Sequence, residues 1–568
     1  MESQFTNAEL QLGIERSRKY KGTAKIDLED IAFYPDISQS LEQHNVDRLC
    51  TIFRNEGCRR LEVQNHVTAV VSQQHLHTAL QAAGKTPDVL LTLDPNLFPH
   101  LRFPAHQVRC LHGRHRIRAG KEVLPISDRW WTVDLYLEDI SQELRSALID
   151  EYANEKQPSD GEIYRKIRQY QREHNAAFEK RWWARLSEDK ARRLRQLSND
   201  IDLRSAFDGL LPIPGLWGGM SLGNLGKMMA LKCDEEIVRY LSIHLRGFWV
   251  SLVSSDPAHP DIDAMMKVDS HSVDRLELLA PGASLTDART VEGWLASGEV
   301  FRGFSPLERR RMWEWLRDYD GIIPSLRSFF QDLEYLKSCA DTVKRLVKPT
   351  KMAPTLRKAM ERHWVPSEVE EGIPIQTSEC TFEQRSGSRL MHQALAYRQV
   401  WLYAMRHYPQ MPRDPTKPDR KAKPRNGKVD ETAIYEMAKL ARQLGFQSTA
   451  IETLIDQSPD VLIARRVLLE ARQPDRYEYH ADVFHTLVRQ IVECFSVATP
   501  REHLFPSDPP GNSSADLQAR SGLPTIDAQK SDSRFLFLPH LHGSRVVAET
   551  VSTWYVRRCV YLAFFGPL

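Results

Sequence analysis

The chain has 568 residues, of which 41% are hydrophobic and 27% charged, and its formal net charge at pH 7 is +2. This length predicts two to four domains rather than one core. The near-neutral charge excludes a global polycation, so any contact with nucleic acid or phosphate must come from a local patch. No apolar run reaches the roughly 18 residues of a membrane helix, which predicts a protein without a membrane contact.

The cysteine pattern indicates in which cellular compartment the protein is found. The 8 cysteines are scattered and none forms a CxxC pair, so the spacing gives no support to a zinc site and we predict no metal centre. The first ten residues lack the basic and then apolar pattern of a signal peptide. Both observations predict a reduced, intracellular compartment, either nuclear or cytoplasmic.

The N-terminal part of the chain has the pattern of an α+β domain. We expect a flexible segment over 1–25 and an α+β domain over 26–175. Helical spacing predicts two helices, which end near Gly57 and Gly84. Alternating or compact apolar runs predict two strands in 61–72 with a turn at Gln64–Asn65, and further strands at 88–93, 108–111 and 130–137.

The rest of the chain is predicted to be mostly helical. We expect a helical domain over 176–410, a basic Pro-rich linker over 411–430 and a helical segment over 431–499. The composition of 500–534 predicts disorder, and 535–568 is apolar enough to pack back on the body. Ser305, Pro306 and Glu308 together form a helix-start signature. Residues 221–246 fit a helix-turn-helix, but the acidic start of the second helix, with Asp234 as its cap, favours a packing pair.

The first stretch whose residues indicate a binding site is Cys110–Ala119, "CLHGRHRIRA". If a strand ends before Gly113 and a helix follows it, the glycine lets backbone approach a ligand closely. The first N–H groups of a helix and its dipole favour an anion, and arginines supply donors for phosphate oxygens. The pattern therefore predicts a phosphate site, with a solvated basic turn as the alternative.

The second stretch is a polar loop that opens a helix. Asn154 and Glu155 precede Ser159 and Glu162, which have the spacing of a capping box. We expect the helix to bury the apolar residues of 163–170 on one face. A plain capped surface helix is the alternative.

The two stretches together resemble the motifs of the ParB/sulfiredoxin superfamily. In ParB-like proteins a motif near G-E-R-R-x-R-A holds nucleotide phosphates, and Gly113, Arg116, Arg118 and Ala119 match it. A second motif near E-N-x-Q-R closes over the nucleotide, and Asn154 is its natural match. The sulfiredoxin motif G-C-H-R is matched except at its cysteine. Arg114 stands in that place, so the resemblance does not extend to sulfinic-acid reductase activity.

A broader resemblance covers most of the chain. The stretches "CLHGRHRIRA", "RWWTVDLYLEDI", "NEKQPSDGEIYRKIRQYQ" and "VWLYAMRHYP" are similar to the fungal family catalogued as domain of unknown function 3723, in order from about residue 45 to 472. The resemblance implies a fungal protein of a family whose members often lie as cargo in giant mobile elements. It implies no activity.

Our leading hypothesis is a ParB-like, nucleotide-binding switch that acts on or near DNA. The phosphates would be held by Gly113, Arg114, His115, Arg116 and Arg118, with closure by Asn154 and Glu155. The nucleotide would be CTP or ATP with Mg²⁺, and weak NTPase activity stays open. One alternative is a scaffold without nucleotide, which binds a protein partner through the arginine cluster or the helical body. The other is a nuclease or kinase-like enzyme on the same fold, although we find no acidic cluster with metal spacing.

Overall fold

The computed structural model describes residues 2–33, 43–152, 158–254, 256, 258–365, 372–412, 429–497, 514–542 and 547–567. The chain divides into two compact units, Met1–Tyr164 with Val268–Asp274, and Arg165–Lys267 with Arg275–Leu568. The first unit contains a mixed sheet with helices, and the second is mostly helical. The predicted order, an α+β region followed by a helical body, is confirmed at this level.

The chain as far as residue 172 contains the strands of the main sheet and the helices around them. These elements are α1 Glu2–Lys19, β1 Tyr20–Asp27, β2 Ile31–Phe33, α2 Gln43–Glu56, β3 Val67–Val71, α3 Gln73–Ala82, β4 His100–Leu101, β5 Val108–Cys110, α4 Arg114–Val123, β6 Trp130–Leu137, α5 Gln142–Tyr152 and α6 Asp160–Arg172. The helices that we predicted before Gly57 and Gly84 are α2 and α3, and both predictions are confirmed. Each glycine has a positive φ after its helix, as a C-terminal glycine does.

Within the described part of the first unit, six strands form one sheet in the order β2-β5-β3-β6-β1-β4. β1 pairs antiparallel with β6, and β3 pairs antiparallel with β5. The pairs β3–β6, β2–β5 and β1–β4 are parallel. The sheet is therefore mixed, and β3 lies between β5 and β6 near its centre.

The two faces of the sheet bury different side chains. Ala24, Val67, Trp131 and Val133 belong to a large apolar core that also includes residues of α3 and α4. Alternate residues of a strand face opposite sides, and on the other side Val70, Leu111 and Tyr136 pack with α5 through Leu144 and Leu148. Helix α4 also packs on α2, where Ala119 meets Val46 and Cys50. These contacts fix the position of the turn that precedes α4.

The remainder of the chain adds nineteen helices and two short strands among the described residues. They are α7 Ala176–Trp183, α8 Glu188–Asn199, α9 Ile201–Asp208, α10 Leu225–Ala230, α11 Asp234–Arg239, α12 Arg246–Val253, α13 Ile262–Met266, α14 Ser270–Leu276, α15 Leu285–Ser297, α16 Pro306–Asp318, α17 Leu326–Val343, α18 Leu356–Arg362, β7 Ile373–Gln376, β8 Phe382–Arg385, α19 Arg389–His407, α20 Glu431–Gln443, α21 Thr449–Asp456, α22 Pro459–Ala471, α23 Ala481–Ser496, α24 Ile526–Asp532 and α25 Thr553–Phe565. None of the described helices is both long and apolar enough to cross a membrane.

Local signals set several boundaries in the second unit. The capping box predicted at Ser305 is present, with Pro306 at the first helical position and Glu308 bonded back to the cap. The chain turns between α10 and α11 at Lys232, whose φ is 62°. Asp234 is the first residue of α11 rather than its cap, so its predicted capping role is wrong. Residues Tyr240–Leu245 form a π-helical segment that joins α11 to α12, which the sequence did not indicate.

The predicted hairpin in 61–72 is wrong in its first strand. Val63–Asn65 form a 3-10 turn instead, and His66 N–H donates to the Val63 carbonyl at 3.2 Å. Val63 is 72% exposed. Because Val63 is not buried, the first strand of the predicted hairpin would have no apolar face to stabilise it.

The strand predicted over 88–93 is wrong as well. Pro87–Leu91 form a 3-10 helix with the proline at its start. Leu90 is buried whereas Leu93 is 96% exposed. Proline pre-sets a helical φ at such a position, and the single buried side chain does not need the alternation of a strand.

Two segments predicted to be flexible or disordered are folded where they are described. Residues 20–25 lie in β1, where Ala24 is fully buried between β6 and β4. Of the segment 500–534, residues 514–534 include α24 and the buried Asp532. Composition alone missed both because a few buried side chains in a polar stretch are enough to order it. The predicted linker core, 413–428, lies outside the described residues.

Candidate phosphate site

The turn at Gly113 joins a sheet strand to a helix, as predicted. β5 ends at Cys110, and Leu111 N–H then donates to the Thr68 carbonyl of β3 at 2.9 Å. Gly113 is the N-terminal cap of α4 with φ 84° and ψ 12°. Its carbonyl accepts the Ile117 N–H at 3.0 Å. The helix begins at Arg114, directly after the glycine.

Gly113 is required by backbone conformation and by packing. Its φ lies in the left-handed region, which a residue with a Cβ adopts at a cost. A Cβ built there would also lie 2.7 Å from Cγ2 of Val67, a fully buried residue of β3. The turn therefore packs directly against the first residue of β3.

The first turn of α4 is rich in cationic and ionisable groups. Arg114, His115 and Arg116 follow the glycine, and the first turn contains no acid. Arg114 is exposed, and His115 and Arg116 are half-buried. Cations at a helix N-terminus face the positive end of the dipole, which costs about 0.3–1 kcal/mol each at the surface.

One carboxylate of the same unit acts on this cluster. Partial burial lowers the pKa of the Arg114 guanidinium, and the Asp269 carboxylate raises it. Asp269 also accepts hydrogen bonds from the backbone N–H and the hydroxyl of Ser272, both at 2.8 Å. The carboxylate near Arg114 is thus shared with the first turn of α14.

Arg118 points along the helix rather than into the turn. Its Nε donates to the Glu122 carboxylate at 2.9 Å, and the Arg118 side chain is 44% exposed. An ion pair at this spacing on an exposed helix face contributes about 0.3–0.5 kcal/mol. The structure therefore brings Arg114, His115 and Arg116 together and places Arg118 one turn further on.

His112 is a buried, neutral residue of the turn. The Thr68 N–H donates to its Nε2 at 2.8 Å, so Nε2 is the acceptor nitrogen. Burial and the charge of Arg116 lower the pKa of His112 to about 3. The imidazole therefore anchors the turn to β3 without adding charge to it.

Cys110, His112 and His115, on both sides of Gly113, have side chains of the kinds that can bind a metal ion. Cys110 is fully buried, and burial raises the pKa of its thiol. His112 already uses Nε2 for the backbone of β3. In the part of the chain that the structure describes, no three His, Cys, Asp or Glu residues are grouped so that they could hold a metal ion.

The predicted closing residues, Asn154 and Glu155, lie outside the described residues. The helix that follows them is described, and Ser159 Oγ accepts the Glu162 N–H at 3.2 Å. The predicted apolar face of α6 is confirmed, with Ile163, Ile167 and Tyr170 all buried.

A polar network on the sheet was missed by the sequence reasoning. Asp134 of β6 accepts a hydrogen bond from the Thr23 hydroxyl at 2.6 Å and lies 3.2 Å from Nδ1 of His66. Thr68 pairs with Asp134 across the strands, and its N–H binds His112. The signal was available, because a single carboxylate in the middle of the apolar strand "WWTVDLYL" needs polar partners.

Comparison with known proteins identifies the family. The N-terminal domain of the family described as protein of unknown function DUF3723 matches residues 19–154, and its central domain matches residues 160–568. No curated protein and no solved structure matches the chain. The matched regions contain both the turn at Gly113 and the helical body, so the chain belongs to the DUF3723 family.

Proposed function

We propose that the N-terminal unit is a ParB/sulfiredoxin-like domain that binds a nucleotide and acts as a switch on or near DNA. The observation that carries the proposal is the left-handed Gly113 after β5, followed by a first helical turn with Arg114, His115 and Arg116 and no acid. The nucleotide is CTP or ATP with Mg²⁺, and its phosphates lie at this turn.

The electrostatics of the turn support an anionic ligand. The cations oppose the helix dipole in the free protein, so the arrangement costs stability there. A phosphate group at the same place interacts favourably with the dipole and with the guanidinium groups. The absence of a side chain on Gly113 lets the turn pack closely on Val67, which fixes the start of α4 where the phosphates would lie.

The position of Asp269 supports the switch. Its carboxylate influences Arg114 and also accepts two bonds from Ser272. A phosphate at Arg114 competes with this carboxylate, because both anions are attracted to the same guanidinium. Nucleotide binding then changes the environment of the segment 268–274, which belongs to the first unit.

Isothermal titration with CTP, ATP and GTP in the presence of Mg²⁺ tests the proposal. We expect saturable binding of at least one nucleotide, and its loss in Arg116→Ala while the circular dichroism spectrum stays unchanged. Arg102→Ala is the matched control, since Arg102 lies in the same unit with a side chain that is 83% exposed. Equal affinity in the wild type and a folded Arg116→Ala would remove the assignment of this residue.

A protein-interaction scaffold is the second candidate function. The Coulombic effect of Asp269 on Arg114 favours it, because a carboxylate already lies near enough to this guanidinium to act on it. A glutamate-rich peptide should then bind and lose affinity in Arg114→Ala, while none of the three nucleotides binds. Nucleotide binding without peptide binding would reject the scaffold.

A further inference from the structure

The second unit contains an open groove that is separate from the turn at Gly113. Its cavity volume is about 230 Å³, and its lining includes Arg239, His244, Gly247, Phe248, Trp315 and Tyr319. Leu562, Ala563 and Pro567, in and after the C-terminal helix α25, complete the lining. This volume is below the roughly 300–1,000 Å³ of sites for drug-sized ligands, so the groove suits a smaller organic molecule.

Arg239 is the cation of the groove. No described carboxylate pairs with it, and the charges that act on its guanidinium are those of Arg398 and Arg357. Burial lowers the pKa of Arg239, and the two neighbouring arginines lower it further. A guanidinium in such surroundings gains more from an anion than one that already has a carboxylate.

The two neighbouring arginines already have partners. Arg357 forms an ion pair with the fully buried Glu236 at 2.7 Å. Arg398 donates to the carbonyl oxygens of Phe565 and Pro567 at 2.6 and 3.1 Å. The guanidinium of Arg239 lies against Gly566, where an added Cβ would overlap it. Arg239 is thus positioned without an acceptor among the described residues.

An aromatic wall faces the same groove. The rings of Trp315 and Tyr319 are stacked with centroids 5.2 Å apart, and Phe248 meets both edge-on at 5.3 and 4.9 Å. Trp315 is half-buried, and the neighbouring Ile243 is 59% exposed. Partly exposed aromatic and aliphatic side chains offer an apolar surface on which a flat group can lie.

One side of the groove is formed by the start of α12 and the segment before it. The π-helical segment Tyr240–Leu245 places Ile243 and His244 beside it, and such segments are frequent at functional sites. Gly247 follows, and a Cβ added there would meet no atom within 4 Å. Burial and the charge of Arg239 lower the pKa of His244 to about 4, so His244 is neutral at pH 7 and Arg239 supplies the charge.

We infer that this groove binds a small organic anion with a flat, apolar body, whose anionic group contacts Arg239 and whose body lies against Phe248, Trp315 and Tyr319. The guanidinium selects the anion, and the aromatic wall selects the body. A molecule with the body alone binds without the contribution of Arg239.

A matched pair of fluorescent probes tests this inference. Anilinonaphthalene sulfonate is a flat aromatic anion, and phenylnaphthylamine has the same rings without the sulfonate. We expect Arg239→Gln to weaken sulfonate binding about tenfold or more, since a hydrogen bond to a charged group contributes about 1.5–3 kcal/mol. The same variant should leave phenylnaphthylamine binding unchanged. Gly247→Leu should weaken both probes, because the new side chain fills open space in the groove.

Two controls separate a specific effect on the groove from a general loss of charge or of folding. Arg466→Gln removes one positive charge from an exposed site of the same unit, where the nearest carboxylate is Glu470 at 4.0 Å, and should change neither affinity. Unchanged thermal unfolding of the full chain establishes that the variants are folded. The inference is overturned if the sulfonate does not bind saturably, if neither groove variant weakens it, or if Arg239→Gln weakens both probes equally.

Discussion

Replacing Gly113 by alanine should destabilise the first unit far more than the same change at another left-handed glycine. The φ of 84° at Gly113 costs an alanine about 1–2 kcal/mol. The new Cβ would also lie 2.7 Å from Cγ2 of the buried Val67, and overpacking of this kind costs about 1–3 kcal/mol. We therefore expect a loss of about 2–5 kcal/mol in the free energy of unfolding.

Gly84 provides the matched control. Its φ is 63°, and a Cβ there would meet no atom within 4 Å, so Gly84→Ala should cost about 1 kcal/mol from backbone strain alone. Val67→Ala removes the atoms that the new Cβ meets, so the double variant with Gly113→Ala should be more stable than additive losses predict.

Urea unfolding of the full chain, followed by tryptophan fluorescence and by hydrogen exchange of β3, measures these differences. Equal losses for Gly113→Ala and Gly84→Ala would refute the packing argument. Strict additivity with Val67→Ala would refute it as well, because it would mean that the two side chains do not meet.

Three further predictions concern buried ionisable groups. Burial raises the pKa of Asp332 to about 7, so the stability it contributes is full below about pH 4 and is lost as the pH rises through 7. Between pH 5 and pH 8, the free energy of unfolding of the wild type should therefore fall by about 2–3 kcal/mol relative to that of Asp332→Asn. The folded pKa of His112 lies below its unfolded value, so acid favours unfolding, and His112→Gln should flatten the fall of the urea midpoint between pH 6 and pH 4. Asp287 and Arg520 form an ion pair with each side chain 6% exposed; Asp287→Ala should lower the free energy of unfolding by about 3–5 kcal/mol, and adding Arg520→Met should recover part of the loss. Each result is contradicted by a variant whose unfolding curve follows that of the wild type.

The turn and its neighbours could be predicted because their determinants are local. Val108–Cys110 is a compact apolar run, Gly113 is the residue that a left-handed turn requires, and the cations of α4 follow it directly in the chain. The family also could be predicted, since the motifs that indicate it lie in order along the chain.

The errors arose where burial depends on distant residues. Leu90 has the same local pattern as a strand residue, yet it is buried against β1 in a 3-10 helix that begins with Pro87. The order of residues 514–534 depends on contacts such as that between Arg520 and Asp287, which are 233 positions apart. The groove beside Arg239 combines residues from α11, α16 and α25. No spacing rule connects these residues.

Hydrogen exchange of the full chain with and without nucleotide tests the central claim most directly. In the presence of Mg²⁺ and CTP or ATP, we predict slower exchange of the backbone N–H groups of 113–118, since phosphates at the turn accept from the first turn of α4. We also predict altered exchange in 268–274, because a phosphate at Arg114 weakens the Coulombic attraction between this arginine and Asp269. Saturable binding with protection elsewhere in the chain, or no protection with any nucleotide, would contradict a phosphate site at Gly113.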